Sequence, residues 1–438
     1  MMRKEAAGFL FITVFLSLYS SVSAQPHDFA SSNKMNIALG KAVFERIWVS
    51  APASTQSVDG LGPLYNARAC HQCHPDGKRG EPSSVVLRLS IPPQNEKQQQ
   101  LLHQSRQNVI AEPVYGLQLQ DKAVQGHRAE GSIHVKEHKV NVELSDGIAV
   151  TLYQPQHQVT ALGYGELHRD VMISMRIAPS LLGIAALEAI PENDVLGLAD
   201  PHDENSDGVS GRPNKVWDAK TNRVALGRYG WKAGVASLRE QVENAFASDM
   251  GLSTPLNTQP AGDCTAEQVS CRQAIRGLSK EGEVFEVEPL MLDLVLVFLK
   301  SLNVPAATTQ ERAENSLGEQ LFYQSGCDRC HHPSFRIFNE ENKPYKIWPY
   351  SDLLLHDMGE GLADLRPEGQ ANGREWRTAP LWGMRFHHGE QRYLHDGRAR
   401  SVLEAVLWHD GEARTSRDAV INMSAQERAR LIAFIQSL

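Results

Sequence analysis

The chain has 438 residues, 41% of them apolar, and a formal net charge of −8. That is enough apolar material for two or three packed cores, with no low-complexity tract pointing to disorder. The acidic balance argues against nucleic acid and anionic membrane surfaces as partners and leaves a basic redox partner open.

The chain opens with Arg3 and Lys4, an apolar run over residues 6–19, and the small residues Val22-Ser23-Ala24 before Gln25. This predicts a cleaved secretory leader at residues 1–24 and a periplasmic protein. The run is shorter than the roughly 20 residues that cross a bilayer, so no membrane span is expected after cleavage. Gly40-Lys41-Ala42-Val43-Phe44 then reads as the first helix of a cytochrome c domain, and Cys70-His71-Gln72-Cys73-His74 follows it. Thiols at this spacing can form thioethers with the two vinyl groups of one porphyrin, and the next histidine lies under the iron. The bland alternative is a zinc site or a thioredoxin-like pair, but zinc motifs seldom put His directly after the second Cys.

Residues 83–159 change to a period of two, as in Val85-Val86-Leu87-Arg88-Leu89-Ser90 and Val140-Asn141-Val142-Glu143-Leu144. A small antiparallel β insertion is expected there. Residues 94–107 are polar and Gln-rich, which suits a solvated helix or loop. Gln118 and Gln120 could bond a small oxygen species or equally face solvent. Asp203-Glu204-Asn205-Ser206-Asp207-Gly208 begins like a calcium loop, with hard oxygen donors at Asp203, Asn205 and Asp207 and glycine sixth. The twelfth position is Asn214 rather than Glu, so a metal-free Asx turn is the competing reading. Cys264 and Cys271 are a close pair outside the haem motifs, and an oxidising compartment would join them as a local structural disulfide.

Residues 289–302 are strongly apolar but short and carry Asp293, as a buried helix would. Residues 303–309 are the joint to a second segment that repeats the first. Gly318-Glu319-Gln320-Leu321-Phe322 matches the earlier Gly-to-Phe string, and Cys327-Asp328-Arg329-Cys330-His331 is the second haem motif. Phe298-Leu299-Lys300-Ser301-Leu302 and Phe434-Ile435-Gln436-Ser437-Leu438 end the two segments, and the last helix begins with a Ser424-to-Glu427 capping box. The expectation is a mainly α chain with two covalent haems c. Its two cytochrome c-like domains are residues 25–302, with the β insertion, and residues 309–438.

Several strings resemble the di-haem oxidoreductases grouped with peroxidases, also called thiol oxidoreductases, within the bacterial di-haem cytochrome c peroxidase and MauG-like superfamily. They include Gly60-Leu61-Gly62-Pro63-Leu64-Tyr65-Asn66-Ala67-Arg68, Leu187-Glu188-Ala189-Ile190-Pro191 and Pro349-Tyr350-Ser351-Asp352-Leu353-Leu354-Leu355-His356-Asp357-Met358-Gly359. Trp376-Arg377-Thr378-Ala379-Pro380-Leu381-Trp382-Gly383 and Leu394-His395-Asp396-Gly397-Arg398-Ala399 extend the match over nearly all of the mature chain. The resemblance implies electron entry at the C-terminal haem and peroxide or oxygen chemistry at the N-terminal one. A small oxidant such as hydrogen peroxide and a periplasmic electron donor or protein substrate would be the partners. It also implies a distal ligand fourteen residues after the His of His395-Asp396-Gly397, which is His409. Peroxidases commonly have Met at that position, so His409 would lower the potential of this haem. Met358 is the competing ligand. Glu188 is the candidate for moving a proton between peroxide oxygens. For the N-terminal haem, His103, His127, His134, His138, His157 and His168 leave the distal ligand open. Superfamily members hold a calcium between the haems and carry an inter-haem tryptophan, with Trp382 and Trp408 nearest the matching strings. A plain di-haem electron carrier and MauG-like oxidation of a partner protein remain the alternatives.

Overall fold

The computed structural model describes residues 34–277, 285–304, 315–339, 342–386 and 392–438. The leader at residues 1–24 and most of the joint lie outside them. The described residues are 32% helical and 20% strand, distributed over several small sheets, so the expectation of a mainly α fold is corrected to a mixed one. The physical reason is that short segments without a strand pattern in the sequence pair with each other. Phe335–Phe338 pairs with Pro344–Ile347, Leu355–Asp357 with Glu375–Arg377, and Lys215–Asp218 with Arg223–Leu226, all antiparallel. Runs of three or four residues are too short to display a period of two.

The β insertion is also larger than its sequence pattern. Val86–Ser90 is the central strand between Gln118–Leu119 and Met172–Arg176, the last lying beyond residue 159. Ser132–Glu143 and Ala149–Thr160 form a long hairpin of twelve paired positions. It is a separate two-stranded sheet, and its turn packs against the second segment. Leu144 and Leu152 are buried in the same cluster as Phe322, Val402, Leu431 and Phe434. At the tip Asp146 pairs with Arg428, and the Ser145 amide donates to the Ile421 carbonyl at 3.2 Å. The polar segment near residue 100 is the helix Glu96–His103, capped by Asn95 and without a buried residue.

Two helix pairs repeat one packing solution. Lys34–Glu45 crosses Pro289–Ser301 at Gly40, where a Cβ would lie 2.0 Å from the Leu294 carbonyl oxygen. Ser316–Gln324 crosses Ala425–Ser437 at Gly318, where a Cβ would lie 2.3 Å from the Arg430 carbonyl oxygen. One turn on, Phe44 meets Phe298 at 5.1 Å and Phe322 meets Phe434 at 5.5 Å between ring centroids. Glycine lets the backbones approach and the aromatic pair fills the space beside the crossing. A third cluster, with Leu187, Leu226, Phe335, Leu353 and Trp382, joins the two segments. Asp293 pairs with Arg239, and among the described residues no helix is long and apolar enough to cross a membrane.

Candidate functional site

The second motif is set by a left-handed turn. Gly326, at φ 71°, carries the chain from the helix Ser316–Gln324 into the 3-10 turn Cys327–Arg329, a conformation glycine adopts without steric cost. The His331 amide donates back to the Cys327 carbonyl at 2.9 Å. Its imidazole Nδ1 donates to the Tyr350 carbonyl at 2.9 Å. Tyr350 itself is held at φ 51°, strain of the kind that persists where the surroundings fix it. His409 ends the helix Val402–Trp408, and its Nδ1 donates to the Ala405 carbonyl at 2.7 Å. Both imidazoles therefore keep Nε2 as the free, unprotonated nitrogen, the tautomer a metal ligand needs. Burial pushes His331 down to about 4 and lowers His409, so each is neutral at pH 7.

His331, His409, Met358, Cys327 and Cys330 line one cavity of about 190 Å³. The walls are mostly apolar, including Phe322, Leu362, Leu381 and Val406. His356 also lines it and is gripped on both sides, Nε2 by Asp352 and Nδ1 by Glu412, each at 2.8 Å. Burial opposes its charge, but the Cys330 sulfur and Asp352 hold it protonated well above the usual histidine range. His395 stacks on Trp376 at 3.6 Å between centroids. Behind Trp376 the fully buried Lys232 donates to Asp364, the Arg366 carbonyl and the Asn372 carbonyl. Arg176 joins Asp364 and Glu368 in the same buried network. Of the tryptophans, Trp231 and Trp376 line the cavity; Trp382 packs on Gly183 and Trp408 under Arg398.

The first motif forms a single helical turn, Cys70–Cys73, with His74 as its C-cap. Burial pushes both thiols up to about 12, with Asp249 the main nearby charge, and desolvation lowers His74. His74 Nδ1 is buried beside the Pro179 and Lys78 backbone without a well-directed hydrogen bond. A polar layer stands behind Asp249. Gln118 donates to Asn66 Oδ1 at 2.6 Å and to Asp249 Oδ1 at 2.9 Å, and Gln120 donates to the Ser248 carbonyl at 2.8 Å. Both amides are buried rather than facing solvent, and each leaves its Oε1 without a partner.

That layer contains a carboxyl the sequence did not single out. Glu130 is 1% exposed, accepts the Gln120 amide at 2.6 Å and accepts Gln268 Nε2 at 2.5 Å. Burial outweighs these bonds and pushes it up to about 8, so it carries a proton at neutral pH. Gln268 lies inside the ring closed by the Cys264–Cys271 disulfide. Glu188, by contrast, is exposed on the 3-10 turn Ile184–Ala189, near Arg228 and Tyr229. Among the histidines of this half, His103, His134 and His138 are exposed, His157 is half-buried, His168 sits beside Asp170, and His127 has a buried Nδ1 without a partner.

The Asx run folds onto itself. Asp203 Oδ1 accepts the amides of Asp207 and Gly208, Asn205 Oδ1 accepts that of Asp207, and Asp207 Oδ1 accepts that of Val209. Arg329 of the second motif donates to the Asp207 carbonyl at 3.0 Å. Asn214 is buried and bridges the Lys232 and Glu368 carbonyls. Among the described residues no group of three or more His, Cys, Asp or Glu side chains is arranged to hold a metal ion.

The profile of one family, described as "Di-haem oxidoreductase, putative peroxidase", matches residues 13–438. No curated protein matches the chain. The chain belongs to that family and is a di-haem oxidoreductase, an enzyme whose cofactor is haem. The second cavity fits such a group on its own chemistry. It offers apolar walls, two free thiols and two neutral imidazoles with Nε2 available.

Proposed function

We propose that this enzyme is an exported c-type di-haem peroxidase, cleaved before Gln25, whose two halves are residues 25–302 and 309–438. Cys70, Cys73 and His74 would hold one haem, and Cys327, Cys330, His331 and His409 the other. The observation that carries the reading is the pair of imidazoles, His331 and His409, with Nδ1 occupied by backbone and Nε2 left for iron in one apolar cavity. Two histidine ligands suit electron transfer and a low potential, so electrons enter at the second haem. Bound haem supplies the redox chemistry at both sites.

The residues of this chain supply protons, orientation and exclusion of water. Reduction of hydrogen peroxide consumes two electrons and two protons and releases two waters. Glu130, protonated in its buried setting, is the proton donor we favour over the exposed Glu188. The Gln120 backbone amide donates to Glu130 and, two residues earlier on the same stretch of chain, the Gln118 side chain donates to Asp249. Glu130 would hold the proton that the reaction needs for the leaving oxygen, and solvent would restore it afterwards. An oxidising periplasm suits the Cys264–Cys271 bond.

Electron paramagnetic resonance of the ferric protein tests the assignment. One low-spin and one high-spin haem are expected, and His409→Ala should convert the low-spin signal. Two low-spin haems with no response to peroxide in any redox state would instead make the protein an electron carrier. A low-spin signal untouched by His409→Ala would remove that residue from the iron.

A further inference from the structure

Two arginines line the cavity at the second motif and make no salt bridge among the described residues, although the charge of Asp352 is near enough to support that of Arg377. Arg79 donates once, to the Leu394 carbonyl at 3.2 Å, and its guanidinium lies 5.4 Å from the Trp231 ring centroid and 5.8 Å from that of Tyr393. Arg377 is 7% exposed and donates to the Gly230 and Thr378 carbonyls. Both line the cavity. A guanidinium drawn into apolar surroundings without an anion in hydrogen-bond contact keeps part of its desolvation cost, which aromatic faces or neutral carbonyls return only in part. In the same structure other buried arginines have carboxylates: Arg176 has Asp364 and Glu368, and Arg398 has Asp396. Arg228, which donates to the Leu187 carbonyl, likewise makes no salt bridge, but of these three arginines only Arg79 and Arg377 meet the cavity.

We propose that Arg79 and Arg377 form a carboxylate-binding subsite that receives the two propionates of the haem attached at Cys327 and Cys330. The inference rests on the haem assignment above. Each propionate is an anion that must be desolvated inside an apolar pocket, and a planar guanidinium matches it with two parallel donors. Arg79 lies five residues after His74, on a segment pinned by the Leu181 amide to the Gly77 carbonyl and by the Gly80 amide to the Ala178 carbonyl. The segment that carries the first haem's histidine therefore also supplies a cation to the second haem.

The test uses the full-length exported holoprotein with Arg79→Met, Arg79→Lys and Arg377→Met. Haem count by mass spectrometry, the midpoint potential of the low-spin haem and its propionate bending band in resonance Raman are measured on each. Two haems per chain are expected throughout. Removing a cation favours ferric over ferrous iron, so both Met variants should lower the midpoint and move the band. Arg79→Lys should restore most of the midpoint while leaving the band shifted, because an ammonium lacks the fork. Unchanged midpoint and band in a variant that retains two haems would overturn the proposal. If a Met variant does not fold, Arg79→Lys decides through the band alone. Wild type with fewer than two haems would defeat the haem assignment itself, a separate failure. Acetate titrated into wild type should change nothing. A spectral response to acetate that Arg79→Met abolishes would assign the guanidinium to a diffusible carboxylate and overturn the propionate assignment.

Discussion

Glu130→Gln should make stability respond to pH in a way that reports the proton on this carboxyl. A carboxyl held at about 8 against its ordinary 4.5 binds its proton more tightly in the folded state by about 5 kcal/mol. Below pH 4.5 both states carry the proton and the native protein has its full advantage. As pH rises from 4.5 to 8 the unfolded chain has lost its proton while the folded one keeps it. The contribution therefore falls with rising pH and levels off above the folded value. Glutamine cannot ionise, so its curve lacks this slope. It also presents an amide NH2 where Glu130 accepts two donors, which removes one hydrogen bond at a cost of about 1–3 kcal/mol. The variant should be the less stable protein near pH 5 and the more stable one near pH 8. Urea unfolding of both proteins at pH 5, 6, 7 and 8 measures the difference, which should change by about 4 kcal/mol over that interval. Peroxide turnover should fall by about 10²–10⁴-fold, the usual range for losing a general acid. Parallel stability curves would refute the argument that burial protonates Glu130, and unchanged turnover would remove it from proton transfer.

Gly318→Ala and Gly40→Ala should each destabilise by about 1–3 kcal/mol, read as a lowered unfolding midpoint, because the new Cβ meets a backbone carbonyl on the partner helix. That outweighs the gain of about 1 kcal/mol that Ala brings to a helix interior. Lys232→Met should cost about 3–5 kcal/mol, since it leaves Asp364 and two buried carbonyls short of a donor; an unchanged midpoint in chemical unfolding would contradict this. Arg428→Ala should release the tip of the hairpin, so amides of residues 144–152 exchange several-fold faster with deuterium while the haem spectra stay the same.

The parts legible in the sequence are those encoded locally. Cys-x-x-Cys-His is complete within five residues, and the Gly-to-Phe strings reveal a repeated helix because one turn separates their members. The Ser424-to-Glu427 box is likewise local, and both of its bonds form. The parts that were not legible depend on partners far away in the chain. Gln118 is buried because it meets Asp249, 131 positions later, and Arg79 reaches Leu394 across 315 positions. No periodicity marks Glu130, whose protonation follows from burial strong enough to outweigh the bond from Gln268 in a distant disulfide ring. Glu188 illustrates the converse, since it stands in a family string yet is exposed. The β content was underestimated for a related reason. Strands of three or four residues, such as Leu355–Asp357, are defined by their pairing with Glu375–Arg377 and carry too few residues for a pattern.

The two halves are separable in sequence but not at the second cavity. Arg79, Val209 and Trp231 line it from the first half. Asp207 receives Arg329 from the second motif, and Ser210 donates through both its amide and its hydroxyl to Glu412, the carboxylate that grips His356. The Ile177 amide donates to the His395 carbonyl at 2.8 Å while its own carbonyl accepts Trp231 Nε1 at 2.8 Å. The charge state and ring positions of the residues at the second motif are therefore fixed partly by the first half of the chain. If both motifs hold haem as proposed, a polar seam of this kind would help keep the two centres at constant separation and orientation. It also makes residues 74–80 a shared element, because movement there displaces the His74 imidazole at one end and the Arg79 guanidinium at the other.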